Sequence, residues 1–401
     1  MVVSLTGPSS WAAFLYNGSA ASAKVPRARH PTATVARGLR LSQPQEMVAR
    51  QSREDAVKAL CYQGPRRIEY GTTADPLLAD DRDALVKMEA CAICGSDLHI
   101  YHGSPFSQDT GYCVGHEAIG EIVETGKGVR RFKVGDKVML SAAVGCGQCH
   151  NCLAGDIARC LSGGAQCYGL SAALQGCQAE AIRVPKADFN AAPIPDGLTP
   201  DQALMLTDNL PTAYLGCRNA DIGPGKTVTV IGLGPIGLMA VEIAYVLGAS
   251  AVFAIDLVPG RREQAKALGA IALDPKDAVQ AIGEATKGQM SDCVVEAVGS
   301  DPTIQLGLTL AGRGGTVSAI GVNTNMDFRF PMGLAFAKSL TFRIALCSVQ
   351  MYWPELIPLI RGGRLHPEKF ISHRLSLSEG AHAYELTDKK TDGALKMVMT
   401  P

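Results

Sequence analysis

A chain of 401 residues is long for one hydrophobic core, so two domains are expected. Lysine plus arginine equals aspartate plus glutamate at 38 each, and a pI near 7.0 argues against nucleic acid, which would call for a basic face. Thirteen cysteines, most of them isolated, do not read as a disulfide framework and suit a reducing, cytoplasmic compartment. No run reaches the roughly 18 apolar residues of a membrane span, so no membrane partner is expected.

The first 45 residues hold no Asp or Glu and five basic residues, Lys24, Arg27, Arg29, Arg37 and Arg40. An acid-poor leader of this kind reads either as an organelle transit peptide or as an extension ahead of Met47. Residues 1–56 are therefore set apart, with disorder expected. From Val57 to about Arg183, short runs such as "ALVKMEA", "EAIGEIVETG" and "DKVMLSA" alternate with glycine turns, the pattern of a β-rich domain. A helix-like stretch over 201–220 follows. From Lys226 to about Leu346, apolar strands alternate with amphipathic helices, which predicts a parallel sheet covered on both faces. The last 55 residues or so carry a helix at "WPELIPLIRGG" and a terminal strand at "ALKMVMT".

Within the α/β region, "KTVTVIGLGPIGLMAVEIAYV" places Gly232, Leu233, Gly234, Pro235, Ile236 and Gly237 between a strand and a helix. In a dinucleotide fold the first glycine makes the tight turn, the second admits the pyrophosphate, and the third lets helix pack on strand. Phosphates then meet the free N–H groups of the helix N-terminus. Asp256 ends the next strand, where a carboxylate accepts from the adenosine ribose hydroxyls and repels a 2′-phosphate, which favours NAD. Arg261 and Arg262 follow and keep NADP as a minority reading.

Two cysteine and histidine groupings precede this region. "ACAICGSDLHIYHG" and "GHEAIGEIVETGKGV" bring Cys94, Ser96, Asp97, His99, His102, His116 and Glu117, a mixed donor set that suits zinc. "GCGQCHNCLAGDIARC" spaces Cys146, Cys149, Cys152 and Cys160 by two, two and seven residues. By themselves these four thiols admit a metal, an iron–sulfur cluster or disulfides. The last two are disfavoured, because a ferredoxin pattern needs three residues and a proline around its fourth cysteine and disulfides would be strained here.

The chain resembles the zinc-dependent alcohol dehydrogenases of the medium-chain dehydrogenase/reductase superfamily over about Val57 to Pro401. Gly115, His116, Glu117, Gly120, Gly126 and Val129 fall at the fixed positions of that family's zinc signature. "DNLPTAYLG" and the C-terminal tail point to its formaldehyde dehydrogenase-like branch.

The resemblance implies an α/β protein with a GroES-like β-rich catalytic domain, residues 57–212 and 347–401. A Rossmann doubly wound parallel-sheet domain, residues 213–346, is inserted within it. It further implies two zinc ions per subunit. Cys94, His116 and Asp208 hold the catalytic ion, with Glu117 beside it as a transient ligand and Asp97 orienting His116. The four clustered cysteines hold the structural ion. Asp208 stands where liver- and yeast-type enzymes have cysteine; its alternative role is to cap the helix near Pro211.

In this reading zinc lowers the pKa of an alcohol, Ser96 takes its proton and His99 passes it on. Thr212 packs on the nicotinamide of NAD, and Arg261 joins the cofactor site. His102 is read as a surface residue, and Asn209, Phe336 and Met351 are candidate pocket residues. The expected partner is a small alcohol or aldehyde, and the expected assembly a homodimer or homotetramer. Formaldehyde dismutation with tightly held NAD, or a silent zinc-binding protein on the same fold, are the alternatives.

Overall fold

A computed structural model describes residues 56–103, 106–162 and 166–401; the leader lies outside the described residues except for Ala56, which opens the first strand. The glycine-punctuated runs form a largely antiparallel sheet. Ala84–Ala92 lies at its centre, between Glu117–Thr125 and the C-terminal strand Lys396–Thr400. Lys137–Leu140 and Ala191–Pro193 extend one side, and Ile371–Ser376 the other. Gly120 is required at the centre, since a Cβ there would collide with the carbonyl of Lys87 on the neighbouring strand. Pairing of Val398 with Ala92 and Met399 with Cys91 carries the end of the chain back into the first sheet. This is how Lys396 comes to lie beside residues from the other end of the sequence.

The α/β region forms one six-stranded parallel sheet. Its order is Ile271–Leu273, Ala251–Ile255, Thr227–Ile231, Ser291–Glu296, Ala311–Ala319 and Thr341–Ile344. Val228, Val230, Val252, Val294, Val295 and Val317 are fully buried because helices cover both faces. Each such side chain contributes about 1.5–3 kcal/mol of burial free energy. The order reverses between Thr227–Ile231 and Ser291–Glu296, and in such sheets ligands bind outside the strand C-termini at that switch point.

The helix expected over 201–220 is two helices, Pro200–Met205 and Asn209–Asn219. Thr199 caps the first through a box with Gln202. Pro211 suits the first turn of the second, where its missing N–H costs nothing, but could not sit within one continuous helix without losing a hydrogen bond. The break matters for the site, because it puts Asp208 at the head of the second helix. Gly216 in that helix lies against Ile320 and Val295, at the C-terminal ends of the parallel strands. Asp208 therefore stands at the start of a helix that packs against the parallel sheet. Among the described residues no helix is long and apolar enough to cross a membrane.

Candidate metal and dinucleotide site

Cys94, His116, Glu117 and Asp208 converge so that one ligand atom from each lies within 4.8 Å of all the others. Cys94 follows strand Ala84–Ala92, and its position is set by its own N–H donating to Asp97 Oδ2 at 3.0 Å. His116 precedes strand Glu117–Thr125, and its Nδ1 stands 3.1 Å from Asp97 Oδ1; neither atom has another partner. Asp97 therefore fixes both residues, holding the proton on Nδ1 and leaving Nε2 free for a metal. Nε2 faces Ser96 Oγ at 3.2 Å and Asp208 Oδ2 at 3.6 Å. Asp208 makes no side-chain cap to its helix; its Oδ2 lies 3.3 Å from Cys94 Sγ, and Thr212 Oγ1 donates to Oδ1.

The electrostatics fit a divalent cation. One thiol and two carboxylates crowd together, Cys94 and Glu117 buried and Asp208 partly so, and burial raises the Cys94 thiol, with the charge of Asp208 adding to that shift. Burial also opposes ionisation of Asp208, yet the hydrogen bond and charge of His116 hold it down to about 2. A cation among these donors removes the conflict, since it stabilises thiolate and carboxylate at once. Three such ligands with a further position open is the arrangement of catalytic zinc.

Glu117 differs from the other three. Its Oε1 and Oε2 accept from Lys396 Nζ at 2.6 and 2.5 Å, and Oε1 also accepts from Asn209 Nδ2 at 2.7 Å. Both carboxylate oxygens are thus already hydrogen-bonded, although one of them lies within 4.8 Å of the other three ligand atoms. Asn209, expected to line a pocket, is buried behind the metal cage instead. Phe336 and Met351 are also displaced from expectation. Phe336 is 85% exposed on Met332–Lys338, a helix with no buried residue, at the far edge of the parallel sheet. Met351 lines a cavity of about 630 Å³ with Arg343, Leu346 and Tyr352, outside the metal cluster. His102 is a half-exposed surface group bound to Asp388, as expected. His99 lies two residues beyond the Ser96–Asp97 pair, edge-on to Phe106, and burial lowers its pKa.

The four cysteines of residues 146–160 come together as a second cluster. Their sulfurs accept backbone N–H groups: Cys149 to Cys146 Sγ at 3.3 Å, Cys146 to Cys160 Sγ at 3.4 Å, and Leu161 to Cys149 Sγ at 3.5 Å. The N–H groups of Leu161 and Cys152 lower the Cys149 pKa, which favours the thiolate a metal requires. All four thiols are free of disulfides. Ser348 ties the lobe to the rest, accepting from Ala158 N and donating to Asp156.

At the switch point, Gly232 adopts φ +88°, Gly234 caps helix Pro235–Val246, and a Cβ on Gly237 would collide with Gly232 O. Asp256 accepts from Leu233 N at 2.7 Å through Oδ2 and from Val258 N at 2.8 Å through Oδ1. The carboxylate thus ties the glycine turn to the end of the next strand, with a lone pair on each oxygen still available. Arg261 stands 3.9 Å from Asp256 and donates to Ala394 O, whereas Arg262 is committed to the carbonyls of Asp256 and Leu257.

Residues 80–196 match the family described as alcohol dehydrogenase GroES-like domain, and residues 235–362 match that described as zinc-binding dehydrogenase. An alcohol dehydrogenase of Cupriavidus necator is 34% identical, covering 86% of this chain and 99% of its own. The solved alcohol dehydrogenase TADH of Thermus sp. ATN1 is 38% identical at a TM-score of 0.80, covering 86% of this chain and 99% of that one. A Sinorhizobium meliloti chain solved with NADP is 28% identical at a TM-score of 0.75, covering 87% and 100%. Two convergent ligand clusters, a glycine turn at the switch point and these matches over most of its length lead to one conclusion: the chain belongs to the zinc-type alcohol dehydrogenases of the medium-chain superfamily, built from a GroES-like and a Rossmann-like domain.

Proposed function

We propose that this protein is an NAD-dependent oxidoreductase that interconverts a small alcohol and its aldehyde or ketone. In this reading zinc is held by Cys94, His116 and Asp208, and a second zinc by Cys146, Cys149, Cys152 and Cys160. The observation that carries the reading is the convergence of a thiol, an imidazole and a carboxylate on one point, in a chain that also holds a glycine turn at the switch point of its parallel sheet. When bound, the catalytic ion supplies Lewis acidity that makes an alcohol hydroxyl easier to ionise. The chain's own residues do the rest. Ser96 Oγ, held beside His116, takes the hydroxyl proton, and His99, in the turn that Ser96 opens, passes the proton toward solvent. Thr212 is held by Asp208 at the head of its helix, where it would support the nicotinamide ring of a bound cofactor.

The domain limits at 212/213 and 346/347 belong to the same proposal, as does a cytoplasmic location. The test of function is a panel of primary and secondary alcohols and aldehydes, formaldehyde included, followed by absorbance of reduced nicotinamide. Alcohol-dependent reduction of NAD supports the reading. Formaldehyde consumption without net cofactor turnover would favour the dismutase alternative, to which "DNLPTAYLG" points. Metal-loaded protein that turns over no member of the panel would count against both.

The proposed preference for NAD over NADP rests on Asp256, whose charge at the end of its strand would repel a 2′-phosphate. Asp256→Gly shifts the ratio of kcat/KM values toward NADP and also weakens NAD, because the glycine turn loses its tie to Leu233 and Val258. An unchanged cofactor ratio would remove this carboxylate from ribose recognition.

Assembly is proposed to be a homodimer through the outer strand of the parallel sheet. Among the described residues Thr341–Ile344 has a neighbour on one side only, and Ile344, Leu346 and Phe336 are 71%, 62% and 85% exposed. Twofold antiparallel pairing of two such edges is self-complementary and covers the apolar groups. Ile344→Lys with Leu346→Lys yields monomer in sedimentation equilibrium; a variant that sediments like wild type would place the interface elsewhere.

A further inference from the structure

A thiol, an imidazole and two carboxylates within 4.8 Å of one another would close four protein ligands around a zinc ion. Four protein ligands make a structural site, whereas a catalytic site needs a position left open. What keeps this cage open is therefore a property of the residues around Glu117.

Asn209 is 1% exposed, so it offers nothing to a substrate. Its Nδ2 lies 2.7 Å from Glu117 Oε1, 3.2 Å from Asp208 Oδ2 and 3.6 Å from Cys94 Sγ. Ionised, all three neighbours only accept hydrogen bonds, so the amide must present its NH2 group to them rather than its oxygen. From the opposite side Lys396 donates to both Glu117 oxygens and, at 3.1 Å, to the carbonyl of Ile93. Moving Glu117 onto the metal would strip the Asn209 bond and loosen a fully buried ion pair at once.

We propose that Asn209 is a positioning residue that holds the Glu117 carboxylate back from the catalytic metal and donates to the Cys94 sulfur. Cys94, His116 and Asp208 then grip the ion while one position stays open for substrate. The hydrogen bond to the sulfur withdraws charge from the thiolate, which leaves the ion a stronger Lewis acid. The inference rests on the metal reading of this cluster given above.

The test uses the full-length protein with cobalt(II) exchanged for zinc. The spectrum of cobalt-loaded Cys94→Ser is subtracted, so that only the catalytic site is read. In Asn209→Leu the visible d–d bands lose intensity, because Glu117 enters and raises the coordination number. The thiolate-to-cobalt charge-transfer band moves to lower energy, because the sulfur loses its N–H donor. Zinc-form kcat falls about 10- to 100-fold while NADH affinity is kept. Asn209→Ser keeps one donor proton and is small enough to fold if leucine is not; its spectrum falls between wild type and the leucine variant. Combining Asn209→Leu with Glu117→Gln restores the d–d intensity, since the intruding carboxylate is gone, but leaves the charge-transfer shift. Wild-type bands in both Asn209 variants would overturn the proposal alone. A wild-type protein with no thiolate-to-cobalt band above Cys94→Ser would overturn the metal reading and the proposal with it.

Discussion

Cys94→Ser lowers kcat/KM for every alcohol the wild type oxidises by about 10³-fold or more and leaves NADH binding within about twofold. The size follows from what the metal is worth. Lewis-acid stabilisation contributes several kcal/mol to the transition state, and each 1.36 kcal/mol is about tenfold in rate. Serine keeps the shape of the site, but its hydroxyl stays protonated where a thiol gives up its proton to the ion. Asp208 and Glu117 remain, yet Glu117 is held by Lys396 and Asn209 and is poorly placed to substitute. Cofactor binding survives because the glycine turn and Asp256 are built from the parallel sheet and are not ligands of the ion. Stopped-flow fluorescence of NADH binding, beside steady-state turnover, separates the two effects. Turnover near the wild-type rate would take the metal out of the reaction, and loss of NADH binding would mean the substitution had disturbed the whole crevice.

Lys396→Met strongly destabilises the fold. Lys396 and Glu117 are both fully buried, with the ammonium on both carboxylate oxygens. Removing one partner of a buried pair leaves an uncompensated charge and costs about 3–5 kcal/mol. In a chain of this size that lowers Tm by roughly 4–7 °C. The cost belongs to the orphaned carboxylate rather than to a missing contact, so Lys396→Met with Glu117→Gln recovers most of it. Thermal unfolding of wild type, both single variants and the double variant measures the coupling. Additive effects in that cycle would mean the two side chains do not act as a pair.

Lys396 also marks where reading the chain by itself stops. The glycine turn, the four-cysteine lobe and the residues from Cys94 to Glu117 are legible because each is a local pattern with its own chemistry. Lys396 is delivered to Glu117 across 279 residues by the pairing of Val398 with Ala92, and no local period encodes that register. One signal was present: a lysine inside the otherwise apolar strand "ALKMVMT", where a charge survives only if something buried answers it. Asn209 reads as a pocket residue in the sequence: Pro211 marks a break nearby, but nothing local shows that the break turns Asn209 toward Glu117 and Cys94. Phe336 is a large apolar residue that invites assignment to a pocket, yet it sits on an outer helix beside an unpaired strand edge. Asp208 is the intermediate case. Its position in the chain allowed both a helix cap and a metal ligand, and the distances to Cys94 and His116 favour the second.

Zinc per chain, measured by plasma mass spectrometry on wild type and Cys94→Ser with turnover recorded on the same samples, tests the central claim most directly. Two ligand clusters predict two zinc ions in the wild type, one in the variant, and activity lost with the missing ion. Equal zinc in both proteins, or full turnover in the variant, would contradict the account.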